Sequence, residues 1–342
     1  MRENFGTTAD GSAVERICIS SGELTAHILT WGAVVQDLRH VAQDAPLVLG
    51  FEEFEHYPEH SPFFGATAGR CANRIAHGRF TLEGVGYQLD NAGKEHHLHG
   101  GAASFGKRNW IVEGHGEDYC ILSLISRDGE AGYPGTVSVR ATFRVTGGTL
   151  AVTYEGSTDA PTLFNLAHHS YFSLKGKQGD IRDHVIHLPT TRYTITGDDL
   201  IPTGDIADAT GTDRDYTDGR SIAERTTLVL DDNFCVADQA LEDLTFAARV
   251  TAPDALLSLE VWSDQPGIQV YCGHKIDCPV PGLDGLPLNA WGGIALEPQL
   301  WPDAVHHDHF PSVILRAGET RTQRSEFRFS PETSNPERSN TA

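Results

Sequence analysis

Positive charge is scarce in this chain. Against 47 Asp and Glu stand 26 Lys and Arg in 342 residues, a formal net charge of -21. The basic residues are scattered and form no run. Nucleic acid and anionic membrane surfaces are bound through basic patches, so neither is expected as a partner. The acidity itself reads as an aid to solubility. No apolar stretch is long enough to span a bilayer. The opening residues Met1 to Gly6 carry no apolar signal-peptide core, and a cytoplasmic location is expected. Six cysteines occur, none of them in a C-x-x-C pair, which disfavours zinc-ribbon and thioredoxin-like sites. Spread over so long a chain, they read as reduced thiols.

Several catalytic signatures are missing as well. No serine sits in G-x-S-x-G, so a nucleophile elbow is not expected. No G-x-x-x-x-G-K-[ST] run is present, and the glycines of Gly65 to Gly69 lack a flanking βαβ pattern. Histidines cluster at His96, His97 and His99, at His168 and His169, and at His306, His307 and His309. His97-Leu98-His99 has the spacing of a cupin ligand pair, yet Gly100 to Gly106 contains no glutamate to complete it. H-E-x-x-H is absent too. No metal and no cofactor are therefore expected, and the third histidine cluster is assigned to loops.

Hydrophobic residues make up 39% of the chain, enough for a substantial core. Alternating segments recur: Ala26 to Trp31, Tyr119 to Ile125, Thr136 to Phe143, Thr149 to Tyr154, Ala255 to Trp262 and Ile268 to Tyr271. Turn signals such as Asp128-Gly129 and Asp284-Gly285 separate them, and Gly147-Gly148 between two such runs predicts a hairpin. Sustained helical periodicity is rare. The expectation is an all-β sandwich or barrel. The span Gly197 to Gly219, rich in Asp, Thr and Gly, is read as a long surface loop. No composition break divides the chain, which predicts one domain over residues 1–330 and a polar, disordered tail over 331–342.

Glu297 is the most informative residue. It follows the apolar run Ile294 to Leu296 and precedes Pro298, which predicts a strand end there. An unpaired charge is costly to bury, so a carboxylate fixed there is a candidate for proton transfer. Asn165 to Phe172 mixes polar and apolar side chains in a way a plain core strand would not. Its histidines can give up a proton near neutral pH.

These motifs join in one order. Gly65 to Phe80, with Ala72-Asn73-Arg74-Ile75 at its centre, resembles a signature of the aldose 1-epimerase family. So do Leu98-His99-Gly100-Gly101, Asn165 to Leu174, Asp231 to Phe234, and Glu297 to Gln299 with Pro302-Asp303-Ala304. The resemblance runs from Phe5 to Phe329. It implies a large antiparallel β-sandwich of the galactose mutarotase-like type, without metal or cofactor. The implied reaction exchanges the α and β anomers of free aldohexoses such as galactose and glucose. Carried over by position, Glu297 is the catalytic base and His169 the acid, while His99 lies near the ring oxygen. Asn73, Arg74, Tyr171, Asp231 and Gln269 are implied sugar contacts. Two departures stand out: His168 and Ser173 occupy positions where the family often has Asn.

The implied chemistry takes a proton from the C1 hydroxyl onto Glu297 while His169, as imidazolium, protonates the ring oxygen. It predicts a bell-shaped pH–rate profile. Trp31, Trp291 and Trp301 are expected in the core rather than against a sugar. The expected partner is a small sugar, bound by a monomer or homodimer. A phosphorylated-hexose epimerase would need a basic cluster, for which Arg70, Arg74 and Arg79 are available. A non-enzymatic sugar-binding module would have no need of the Glu297–His169 pair.

Overall fold

Alternating burial builds the frame. In Val137–Thr146 and Thr149–Thr158, residues on one face are buried while the other face meets solvent. Gly147 and Gly148 turn the chain between them, pairing Thr146 with Thr149, and Gly147 takes φ 52°. A two-residue hairpin turn needs such a positive φ. The computed structural model describes residues 1–175, 180–222, 229–253 and 256–331. Apart from Pro331, the predicted tail 331–342 lies outside the described residues.

These two strands belong to a nine-stranded sheet in the order 111–115, 119–126, 137–146, 149–158, 320–331, 257–263, 245–251, 185–187 and 220–221. A six-stranded sheet follows the order 171–172, 294–299, 267–271, 231–235, 192–196 and 202–208, and the first four strands of the chain form a third sheet. Every pairing within these three sheets is antiparallel. One apolar core joins them, with Ile17 and Ile28 from the small sheet, Leu122 and Phe327 from the large one, and Phe172, Val270 and Leu296 from the third. Among the described residues the one α-helix is His56–His60. The expected all-β sandwich is thus observed.

One expectation fails. The span Gly197 to Gly219 is not all loop, because Pro202–Asp208 forms a strand against Arg192–Thr196. It lies at the sheet edge, where a polar composition is normal and a leading proline forfeits no ladder bond.

Three buried histidines make the fold acid-sensitive. Burial holds His168 at about 3 and His169 and His184 at about 4. In the unfolded chain they titrate near about 6.5. Between those limits the unfolded chain binds more protons, so their contribution is complete above about pH 6.5 and lost as the pH falls through about 4. The urea midpoint is expected to drop between about pH 7 and about pH 5, before most carboxylates protonate. A constant midpoint over that range would contradict the assignment.

Candidate active site

Strand periodicity places the site. In Ile294–Gln299, Ile294 and Leu296 enter the core, so Ala295, Glu297 and Gln299 face the other way. In Gly267–Tyr271, Ile268 and Val270 take the core side and leave Gln269 and Tyr271 on the outer face. Register then sets Gln269 opposite Glu297 and Tyr271 opposite Asp231. Gln269 Nε2 donates to Asp231 Oδ1 at 2.8 Å. Asp232 points the other way and accepts from Arg214 Nε at 3.1 Å.

The same alternation separates the paired histidines. His168 lies against the rings of Phe143 and Phe327 in the core, and its Nε2 meets Ser170 Oγ at 2.8 Å. His169 turns outward. Its Nε2 lies 3.4 Å from Glu297 Oε1, with both side chains at least 95% buried. Among the described residues, Glu297 Oε2 and His169 Nδ1 have no hydrogen-bond partner.

Two loops supply the remaining wall. Arg74 and Leu98 pair across a two-residue ladder, and the chain turns sharply on both sides of it. Asn73 has φ 60° and His99 φ 50°, left-handed values that Asn and His tolerate better than most residues. His99 N–H donates to Asn73 O at 2.9 Å, and Asn73 N–H donates to His99 Nδ1 at 3.1 Å. Gly100 follows with φ 92°, where a Cβ would stand 1.8 Å from Gly69 O. Asp303 braces this corner from the C-terminal motif. Its N–H donates to Arg74 O at 3.1 Å, and its Oδ1 accepts from Ala76 N–H at 2.9 Å.

The bond to His99 Nδ1 has a chemical consequence. An Nδ1 that accepts must lack a proton, so in the neutral ring Nε2 carries it. Burial keeps His99 neutral, helped by the positive charges of Arg74 and Lys94. His99 is therefore a fixed hydrogen-bond donor. The donor atoms of His99, His169 and Glu297 all lie within 4.8 Å of one another, and two histidines with a glutamate is a zinc-type set. A protonated Nε2 has no lone pair for a metal, so the set fits metal poorly.

All eight residues expected from the sequence line one cleft: Asn73, Arg74, His99, His169, Tyr171, Asp231, Gln269 and Glu297. Its volume is about 240 Å³. Pockets for drug-sized ligands run to about 300–1,000 Å³, so this one suits a single small ring. Arg74 Nη2 stands 4.0 Å from Asp231 Oδ2, close enough to present its remaining donors to a ligand. Tyr171 donates its hydroxyl to Pro62 O at 3.2 Å and packs its ring 5.0 Å from that of His169.

Six lining residues were not anticipated: Pro62, Phe63, Lys94, Leu98, Tyr271 and Lys275. Phe63 packs against His99 and His169 with ring separations of 4.8 and 5.9 Å. Tyr271 was readable as the alternate neighbour of Gln269. No tryptophan is among the lining residues. Trp301 is buried against Phe310, as expected of a core residue. His306, His307 and His309 tie their segment to neighbouring strands through the carbonyls of Arg79, Pro202 and Gly204.

Electrostatics revises the expected resting state. Burial pushes Glu297 well above the usual carboxylate range; Asp231 adds to this and Arg74 opposes it. Burial holds His169 down at about 4. In the empty cleft both effects favour a carboxylic acid beside a neutral imidazole, rather than a carboxylate beside an imidazolium. Both arrangements hold one proton, and they differ only in which side of the 3.4 Å gap it occupies.

Residues 15–328 match the sequence model of the family described as Aldose 1-epimerase. Galactose mutarotase of Rattus norvegicus is 37% identical over 330 residues, covering 94% of this chain and 95% of that protein. Aldose 1-epimerase of Escherichia coli (strain K12) is 30% identical over 344 residues, covering 96% and 99%. Among solved structures, an aldose epimerase homologue from C. elegans superposes with a TM-score of 0.86 at 28% identity, over 92% of this chain and 98% of that one. Galactose 1-epimerase of Lactobacillus acidophilus NCFM reaches a TM-score of 0.82 at 19% identity, over 97% and 98%, a likeness of fold alone. Sequence and architecture agree along nearly the whole chain, which belongs to the aldose 1-epimerase family.

Proposed function

We propose that this protein interconverts the α and β anomers of free aldohexoses such as galactose and glucose. Glu297 is the base and His169 the acid. The observation that carries this reading is the buried pair of Glu297 Oε1 and His169 Nε2 at 3.4 Å, with the second carboxylate oxygen unengaged. The C1 hydroxyl oxygen and the ring oxygen share one carbon, so they lie close together. Two groups this near each other can each reach one of them, side by side.

Glu297 takes the proton from the C1 hydroxyl, and the electrons left on that oxygen form the aldehyde as the C1–O5 bond breaks. O5 receives its proton from His169. Rotation about C1–C2 presents the other carbonyl face, and the two groups exchange roles as the ring closes. The reactive arrangement has the single proton on His169, and Arg74 favours it by lowering the pKa of Glu297. His99 donates through Nε2 beside the ring oxygen. Asn73, Arg74, Gln269 and Asp231 fix the sugar hydroxyls, and Tyr171 supports the imidazole of His169. All six cysteines are unpaired, which supports a cytoplasmic location.

Because the active pair needs one proton in total, its pH limits follow from the shifted groups. The acid limb is set by a second proton entering at His169, held at about 4. The basic limb is set by loss of the last proton, for which Glu297 is raised. The acid limb in kcat/KM is thus expected near about 4, from His169, and the basic limb follows the carboxyl of Glu297, raised by burial, rather than an ordinary imidazole. An acid limb centred near about 6.5 would contradict this ordering. The activity itself is tested by polarimetry on freshly dissolved α-galactose. The approach to equilibrium is expected to accelerate in proportion to protein, and an unchanged trace would refute it.

A further inference from the structure

His306 belongs to the one histidine cluster that the proposed chemistry leaves unused. Both of its ring nitrogens meet acceptors. Nδ1 lies 2.7 Å from Asp303 Oδ1, and Nε2 lies 2.8 Å from the carbonyl oxygen of Arg79. A neutral imidazole carries one N–H and could donate to only one of them, whereas an imidazolium donates to both. The electrostatics agree: the hydrogen bond to Asp303 raises the pKa of His306 above the usual imidazole value, burial opposes this, and the Arg79 carbonyl supports it. The Asp303 side chain is only 2% exposed, and a carboxylate so buried gains from a positive partner.

Asp303 and His306 grip one short segment at three points. Asp303 N–H donates to Arg74 O, Ala76 N–H donates to Asp303 Oδ1, and His306 Nε2 donates to Arg79 O. That segment begins beside Asn73 and Arg74, which line the cleft. The ladder carrying Arg74 has only two residue pairs, so a clamp on its other side bears on where the guanidinium stands. Asp303 also follows closely on Ile294–Gln299, the strand of Glu297. Its φ of 56° turns the chain back toward Arg74. Two other titratable groups stand near His306. His307 approaches the far carboxylate oxygen of Asp303 at 3.8 Å, and the Arg79 guanidinium turns away to Gln88 Oε1 at 2.7 Å.

We propose that His306 is a positioning residue: as an imidazolium on Asp303 it fixes the corner that presents Asn73 and Arg74 to the sugar, and sugar binding weakens when it loses its proton. This rests on the anomer-exchange reading of the cleft. The clamp is complete at low and neutral pH and is lost as the pH rises through the raised pKa of His306.

Nitrogen-15 NMR of the full chain reads the ring directly, with the His306 signals identified by their loss in His306→Gln. Both nitrogens are expected to be protonated at pH 7, and a neutral ring would overturn the proposal. The action through Arg74 is read from a cycle of variants. His306→Ala is expected to lower kcat/KM for galactose about fivefold in the parent, the upper end for a partly exposed ion pair. In an Arg74→Ala background the same change should cost less than about twofold. Equal losses in both backgrounds would make His306 a structural residue only. Asp303→Asn keeps the shape of the carboxylate without its charge. The pH at which the KM for galactose rises on the alkaline side should then move down toward about 6.5, and an unmoved pH would overturn the proposal. Exchange of galactose that His306→Ala leaves unchanged would overturn this proposal alone. Failure of the parent to exchange galactose would overturn the activity reading and this one with it.

Discussion

Glu297→Gln is expected to lower kcat/KM for galactose by about a thousandfold, within the about 10²–10⁴-fold range of one positioned proton transfer. The substitution keeps the size and planarity of the side chain but removes its ability to take the C1 proton. Glu297 stands on a strand buried along its whole length, opposite Gln269, so the backbone has no cause to move. Glutamine also removes a group that burial penalises when charged. The variant should therefore be at least as stable as the parent and still bind galactose. Polarimetry reads the rate, and calorimetric titration reads the binding. Near-normal turnover would remove Glu297 from the mechanism; loss of binding along with turnover would make it a sugar contact instead.

His169→Asn is expected to produce a loss of similar size, because the ring oxygen would leave without its proton. The neighbouring His168 provides the control. Its ring lies between Phe143 and Phe327 and bonds Ser170, so its replacement should act on stability rather than on kcat. If kcat instead falls with His168 and survives with His169, the two imidazoles have been assigned the wrong way round. Neither single loss should add fully to that of Glu297→Gln, since the pair shares one proton and acts as a unit.

Much of this site was legible through the family resemblance, which carried Glu297, His169 and the six sugar-side residues over by position. Strand periodicity gives the physical reason: with Ile294 and Leu296 in the core, Glu297 faces the other way, and the same rule separates His168 from His169 and Asp231 from Asp232. Register did what motif reading could not. It set Gln269 against Glu297 and brought Asp231 Oδ1 within 2.8 Å of Gln269 Nε2. The strand Pro202–Asp208 was hidden because an edge strand with few apolar residues has the composition of a loop. Phe63 was hidden because nothing in Ser61 to Phe64 distinguishes a wall of the cleft from core. Its φ of 70° appears only in the folded chain.

Protonation was the least legible property. Reference values give a carboxylate and a partly protonated imidazole near neutral pH, but burial drives each toward its uncharged form. The chain carries the residue types, and only the packed cleft sets where their one proton rests.

The central claim is that Glu297 and His169 meet the two oxygens on C1 of one sugar. A structure of Glu297→Gln with galactose tests it most directly. The account predicts the C1 hydroxyl within about 2.6–3.2 Å of the residue 297 side chain and the ring oxygen within the same reach of His169 Nε2. A sugar bound with C1 turned away from either side chain would contradict it.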